Sequence, residues 1–300
     1  MIKFERHISV SSTEHNIIGI LAEACKEFSL SNALLKSAIN KGALWLTRGK
    51  YTQRIRKVKK NLLPQDVLHF YYDENVLSKE SPHALLIADA EQYSVWYKPY
   101  GMLSQGSKWS DHCTIARWSE TTLLPQRPAF IVHRLDRAAS GLIIIAHSKK
   151  AAQAFSKIFE HHQLEKIYHI IVHGVLPAHV DENIGLEIVT NIDDKSAKST
   201  FYPLEINPEK QLSLIKVKIE TGRKHQIRKH AASINLPVVG DRLHGDDAIV
   251  LSNDVNSEEV NLQLCAVQLG FICPFDQEEK LFELPTQLKL SLTELSKKLT

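Results

Sequence analysis

Residues 140–148 read SGLIIIAHS, a short apolar run suited to a central strand. Directly ahead stands a charged stretch, His133-Arg134-Leu135-Asp136-Arg137-Ala138-Ala139. Charges beside a buried strand are costly unless they are paired or used. Ser140-Gly141 points to a close backbone approach at the junction. The same residues also fit a surface loop holding an Arg–Asp pair, so the stretch alone leaves both readings open.

The rest of the second half continues as mixed α and β. SVWYKPYGM enters a Pro/Gly turn as a strand, and KKAAQAFSKIFEHH places Ala151, Ala154, Phe155, Ile158 and Phe159 on one helical face. EKIYHIIVHGVL returns to strand character. SLIKVKIETGR alternates Ile215, Val217 and Ile219 with Lys216, Lys218 and Glu220. At 300 residues the chain is long enough for two domains with substantial cores. No apolar run reaches the ~20 residues of a membrane span. The opening MIKFERHISVSS lacks the apolar core of a secretory signal. Cys25, Cys113, Cys265 and Cys273 show no CxxC spacing and read as reduced thiols of a cytoplasmic protein.

Charge divides the chain. Residues 1–73 hold 12 Lys/Arg against 6 Asp/Glu, whereas the remainder holds 25 against 28. A localised basic excess fits a polyanionic partner or a solvated basic face. Within it, LSNALLKSAINKGAL has helical periodicity closed by Lys41-Gly42. RGKYTQRIRKVKK follows with seven basic residues in thirteen: Arg48, Lys50, Arg54, Arg56, Lys57, Lys59 and Lys60. No acid lies between Glu27 and Asp66, and LLPQDVLHFYY then reads as a turn entering a strand. This order resembles the S4-like RNA-binding module over residues 16 to 73. The polar stretch Asp73–Glu91 reads as a linker, which sets the expected domains at 1–75 and 76–300.

Two further segments carry candidate chemistry. Thr221-Gly222-Arg223-Lys224-His225-Gln226-Ile227-Arg228-Lys229-His230 leaves the alternating strand through a glycine turn and enters a helix. Its exposed N–H groups, flanked by Arg and Lys, suit a phosphate or carboxylate, and Lys224 and Arg228 would share a helical face. Lys166-Ile167-Tyr168 opens a strand, and a lone Tyr there is ordinarily core. HRLD is also found in protein-kinase catalytic loops, but no DFG triplet or glycine-rich loop accompanies it. Fifteen histidines raise a metal hydrolase, yet none shows HExxH spacing.

Taken in order, HRLDRAASG, Lys166-Ile167-Tyr168 and TGRKHQIRKH resemble the RluA-type family of pseudouridine synthases. Tyr97-Lys98-Pro99-Tyr100-Gly101, Leu236-Pro237-Val238-Val239-Gly240-Asp241 and Leu262-Gln263-Leu264-Cys265-Ala266-Val267-Gln268-Leu269 extend the likeness. Ala139 stands where the family more often has Thr, His244-Gly245 where it usually has Tyr-Gly, and Cys265 and Cys273 where His is common. The resemblance implies an α+β fold, with a central mixed, mainly antiparallel sheet, flanking helices and a cleft across its middle.

It also implies an isomerase that breaks the glycosidic bond of uridine in RNA, turns the base and rejoins it through C5. Asp136 would be the initiating carboxylate, Arg228 its charge partner, and Tyr168 the companion of the base. Arg134 and Arg137, then Arg223 and Lys224, are candidates for holding phosphates. The partner would be large-subunit rRNA or, alternatively, tRNA. The expected protein is a monomer without metal, nucleotide or other cofactor. A non-catalytic RNA-binding protein on the same fold is the competing class, and the Asp-Tyr-Arg trio argues against it.

Overall fold

Two units make up the chain in a computed structural model: Met1–Ser81 with Gln105–Thr122, and Pro82–Ser104 with Leu123–Thr300. The structure describes all residues except 12, 14, 15, 178, 246–259, 299 and 300.

In the first unit an antiparallel sheet runs β1-β4-β2-β3, formed by β1 (Lys3–Ser9), β2 (Leu44–Arg48), β3 (Tyr51–Ile55) and β4 (Val67–Asp73). Helices α1 (Ile17–Ala24) and α2 (Asn32–Asn40) begin on side-chain caps, Asn16 accepting from Gly19 N and Ser31 from Leu34 N. Their apolar faces bury Ile17, Leu21, Leu35 and Ile39 with Leu44, Leu46, Leu68 and Phe70 of the sheet. A short helix, α3 (Glu74–Leu77), follows β4, and α4 (Ile115–Thr122) belongs to the same unit. β1 has no counterpart in the sequence reading.

The second unit is built on a ten-stranded sheet. Its strands are β5 (Leu85–Asp89), β6 (Tyr93–Lys98), β7 (Phe130–Ile131), β8 (Ser140–Ala146), β9 (Leu164–His173), β10 (Leu186–Ile192), β11 (Lys195–Asn207), β12 (Leu212–Ile219), β13 (Leu264–Ile272) and β14 (Glu279–Glu283). The order is β10-β11-β12-β9-β13-β8-β6-β5, with β14 on β13 and β7 on β8. Among the described residues every strand pairing is antiparallel except that of β8 with β13, near the centre.

Gly141 through Ala146 are buried, which is why the central strand reads as an unbroken apolar run. Helix α5 (Lys149–Glu160) covers one face, burying Ala151, Phe155 and Ile158 against Val95, Leu142, Ile144 and Val267. Two further helices are α6 (Gln226–Ser233) and α7 (Leu292–Lys298). The stretch read as a linker carries α3 and β5. β5 pairs with β6 through a bulge after Leu86, and that irregular edge, with Leu85 and Leu86 exposed, hides strand periodicity.

Candidate active site

Asp136 sits in the loop ahead of β8, and the main chain around it is pinned on alternate residues. Leu135 N donates to Ser104 Oγ (3.0 Å), and Ser104 Oγ donates to Leu135 O (2.7 Å). Gly101 N donates to Arg137 O (2.8 Å). The fully buried Lys98 donates through Nζ to Ala139 O (2.6 Å) and Met102 O (2.9 Å). Burial pushes the Lys98 ammonium down to about 7, against the pull of Asp136. Asp136 O closes the turn by accepting from Ala139 N (3.1 Å).

Gly141 explains where this loop is held. Its φ is +115°, and a Cβ there would overlap the N and O of Ala266, its partner across the β8/β13 pairing. Ala266 also pairs with Tyr168 of β9. The register line Gly141–Ala266–Tyr168 therefore brings the Asp136 loop and Tyr168 to one region of the sheet. Tyr168 is buried. Burial, then the charge of Asp136, push its phenol well above the usual range, so it is protonated at neutral pH.

Arg228 comes from α6. The start of that helix is fixed by Gln226, whose Oε1 accepts from Arg223 N (3.0 Å) and Thr221 Oγ1 (2.7 Å). Its Nε2 donates to Lys198 O and Ser199 Oγ, both at 2.9 Å. The Arg228 side chain, 5% exposed, lies between two carboxylates. Nε donates to Asp241 Oδ2 (2.7 Å), Nη2 donates to Asp241 Oδ1, and Nη1 donates to Asp136 Oδ2 (3.3 Å). Asp241 Oδ1 also accepts from Leu243 N (2.9 Å) and His244 N (3.1 Å). Burial pushes the Asp241 carboxyl up, but these donors together hold it below the usual range. Burial opposes the Arg228 charge as well, and the two carboxylates more than restore it.

Asp136, Tyr168 and Arg228 are thus brought together. Arg134 and Arg137 are exposed beside Asp136, and neither has an ion pair among the described residues. Arg223 is partly buried, with Nε donating to Ser196 O (3.0 Å), while Lys224 is exposed. Lys224 precedes the helix, which begins at Gln226, so it does not share a helical face with the inward-turned Arg228. Gln226 takes the Arg223 N–H that the sequence reading offered to an anion.

In the first unit the seven basic residues separate into two groups. Arg48 makes two hydrogen bonds to the buried Asp66 (2.8 and 2.7 Å). Arg54 stacks on Trp45 (4.3 Å) and reaches Asp111 (3.5 Å), which also pairs with Arg56. Lys50, Lys57, Lys59 and Lys60 are exposed. Asp111 lies far along the chain, so the acid-free stretch overstated the free charge.

Asp241, Lys98, His225 and His244 had no role in the sequence reading. The Gly240-Asp241 and Lys98-Pro99 pairs were visible as motif positions, but no spacing rule links them to Asp136. His225 Nε2 lies 3.7 Å from Asp136 Oδ2, and its Nδ1 is 2.9 Å from His244 Nε2.

A family profile described as RNA pseudouridylate synthase matches residues 92–233, a span that contains Asp136, Tyr168 and Arg228. An RNA pseudouridine synthase of Aquifex aeolicus, itself uncharacterised, is 28% identical over 92% of this chain and 91% of its own length. The tRNA pseudouridine synthase C of Vibrio parahaemolyticus is 33% identical over 66% of this chain and 89% of its own. Among solved structures, human RNA Pseudouridylate Synthase Domain Containing 1 shares the fold at a TM-score of 0.55. It is 19% identical, with 72% of this chain and 94% of that one covered.

Proposed function

The chain belongs to the RNA pseudouridine synthase family, and on that premise we propose that Asp136 is the carboxylate that initiates isomerisation of uridine, with Arg228 holding its charge and Tyr168 receiving the base. The observation that carries this reading is the Arg228 Nη1 contact to Asp136. Addition to the base, attack on the ribose and removal of a sugar proton would each be made by a carboxylate oxygen, and the fixed guanidinium nitrogen 3.3 Å from Oδ2 pairs with that carboxylate and orients it.

Asp136 starts the cleavage of the bond from N1 to the sugar. After the base turns and rejoins through C5, the C5 proton must leave and N1 must gain one. Tyr168 offers a flat apolar face to the turning base. Its phenol, held protonated, serves as a hydrogen-bond donor and would act as a base only after losing a proton that burial retains. The uridine must leave its stack to reach this site, at a cost of a few kcal/mol that is least in loops.

Arg134 and Arg137, with Lys224 and secondarily Arg223, hold the phosphates around the flipped nucleotide. The first unit acts as an S4-like RNA clamp through Lys50, Lys57, Lys59 and Lys60. Arg48, Arg54 and Arg56 keep that clamp folded. Phosphate contacts of this kind position an RNA without reading its sequence. The protein acts as a monomer in the cytoplasm. Among the described residues no helix is long and apolar enough to cross a membrane.

Large-subunit rRNA is the substrate we place first, because a separate basic clamp suits a large folded RNA. The tRNA-modifying relative supports tRNA as the second reading. Chemical mapping of pseudouridine in cells with and without the protein tests both. Sites lost from large-subunit rRNA would support the first, and sites lost only from tRNA the second. An unchanged map of both RNAs would overturn the proposal.

A further inference from the structure

A two-histidine chain ends on the same oxygen of Asp136 that Arg228 contacts. We propose that His244 is a positioning residue that fixes the tautomer of His225, so that His225 presents its Nε2–H to Asp136 Oδ2 and leaves Oδ1 to the substrate. This inference rests on the reading of Asp136 as the reacting carboxylate.

A neutral imidazole has one N–H and one lone pair, and the partner of one nitrogen decides the state of the other. His225 Nδ1 and His244 Nε2 are 2.9 Å apart, so one donates to the other. His225 Nε2 faces Asp136 Oδ2 at 3.7 Å. An ionised carboxylate only accepts, and a lone pair turned toward it is repelled. The favoured arrangement therefore puts the proton on His225 Nε2, leaves Nδ1 as acceptor, and makes His244 Nε2 the donor.

Both rings are fixed from behind. His225 occupies the left-handed region, φ 56°, and is followed by the anchored Gln226. His244 N donates to Asp241 (3.1 Å), the carboxylate that grips Arg228. Asp136 and Asp241 draw protons to the pair, while Arg228, Lys224 and Lys229 repel them. Burial is the largest influence on each ring and favours the neutral form. Arg228 and His225 then converge on Oδ2, which orients the carboxylate.

Single-turnover isomerisation by full-length His244→Phe at pH 8, relative to wild type, provides the test. The expected loss at pH 8 is about 3- to 10-fold, as for the one neutral hydrogen bond between His244 and His225, with RNA affinity unchanged. His244→Gln, whose amide can donate, should recover activity at pH 8. Wild-type activity in His244→Phe, or no recovery in His244→Gln, would overturn the proposal. Asp136→Asn in the same assay separates the two readings, since its activity would overturn the role of Asp136 itself.

Discussion

Arg228 meets Asp136 through a single nitrogen, Nη1, because Asp241 occupies Nε and Nη2 of the same guanidinium. The cation is thus anchored by one carboxylate and offered to another. A lysine in its place could serve as a charge but could not span both.

Asp136→Asn keeps the size of the side chain and removes its charge. Isomerisation should fall to background while RNA affinity stays within a few-fold. Quantifying pseudouridine in the product RNA, beside a binding assay, checks both parts.

Arg228→Lys should lower kcat by about 10²–10³-fold, the cost of losing an oriented charged donor. Arg228→Ala should also destabilise the fold by about 3–5 kcal/mol, because buried Asp241 would be left uncompensated. Denaturant unfolding separates these effects, since the lysine variant should retain most of the stability.

Tyr168→Phe keeps the apolar face and removes the hydroxyl. With the phenol pushed upward by burial and by Asp136, no acid–base limb belonging to Tyr168 should appear in the wild-type rate profile between pH 6 and 9. A loss of about 10²-fold or more in kcat, with the profile's shape unchanged in that window, is the expected outcome. A limb present in wild type and absent in Tyr168→Phe would contradict it.

Asp66 gives a pH test of the first unit. Hydrogen bonds from Arg48 hold its carboxyl below the usual range, against burial. The sign is that of a depressed acid: the stabilisation is present above the unfolded-state value near 3.8 and is lost as pH falls through the lower folded value. Asp66→Asn should therefore cost about 1–3 kcal/mol at pH 7 and progressively less as pH falls below 3.8, as read by thermal melts.

Replacing Lys50, Lys57, Lys59 and Lys60 with Ala should weaken RNA binding and reduce its salt slope by roughly 3, at about 0.7–0.9 for each phosphate no longer neutralised. Deleting residues 1–75 is a poorer test, because residues 105–122 fold with that unit and would be left without their partner. An unchanged slope in the four-lysine variant would show that this unit does not grip RNA.

The elements legible in the sequence are those whose periodicity is uninterrupted. β8 is buried on both faces, α5 carries one apolar stripe, and β12 alternates cleanly. β5 escaped because a bulge breaks its alternation, and β1 because its partner β4 lies some sixty residues further on. In the site, Asp136, Tyr168 and Arg228 were legible as an ordered set of motifs. The roles of Asp241 and the histidine pair were not, since they depend on which atoms of Arg228 and Asp136 face them. The basic stretch misled for a similar reason, as Asp111 reaches Arg54 and Arg56 from a part of the chain no local reading connects to them.

The central parallel pairing also sets an order of events during synthesis. Gly141 closes on Ala266, a residue made 125 positions later, and the turn that carries Asp136 hangs from that closure. Until β13 has left the ribosome, the nascent chain can hold its N-terminal unit and most of its antiparallel strands without a closed Asp136 loop. Contacts so distant in sequence form slowly. The chain therefore completes its first unit before the Asp136 loop is closed.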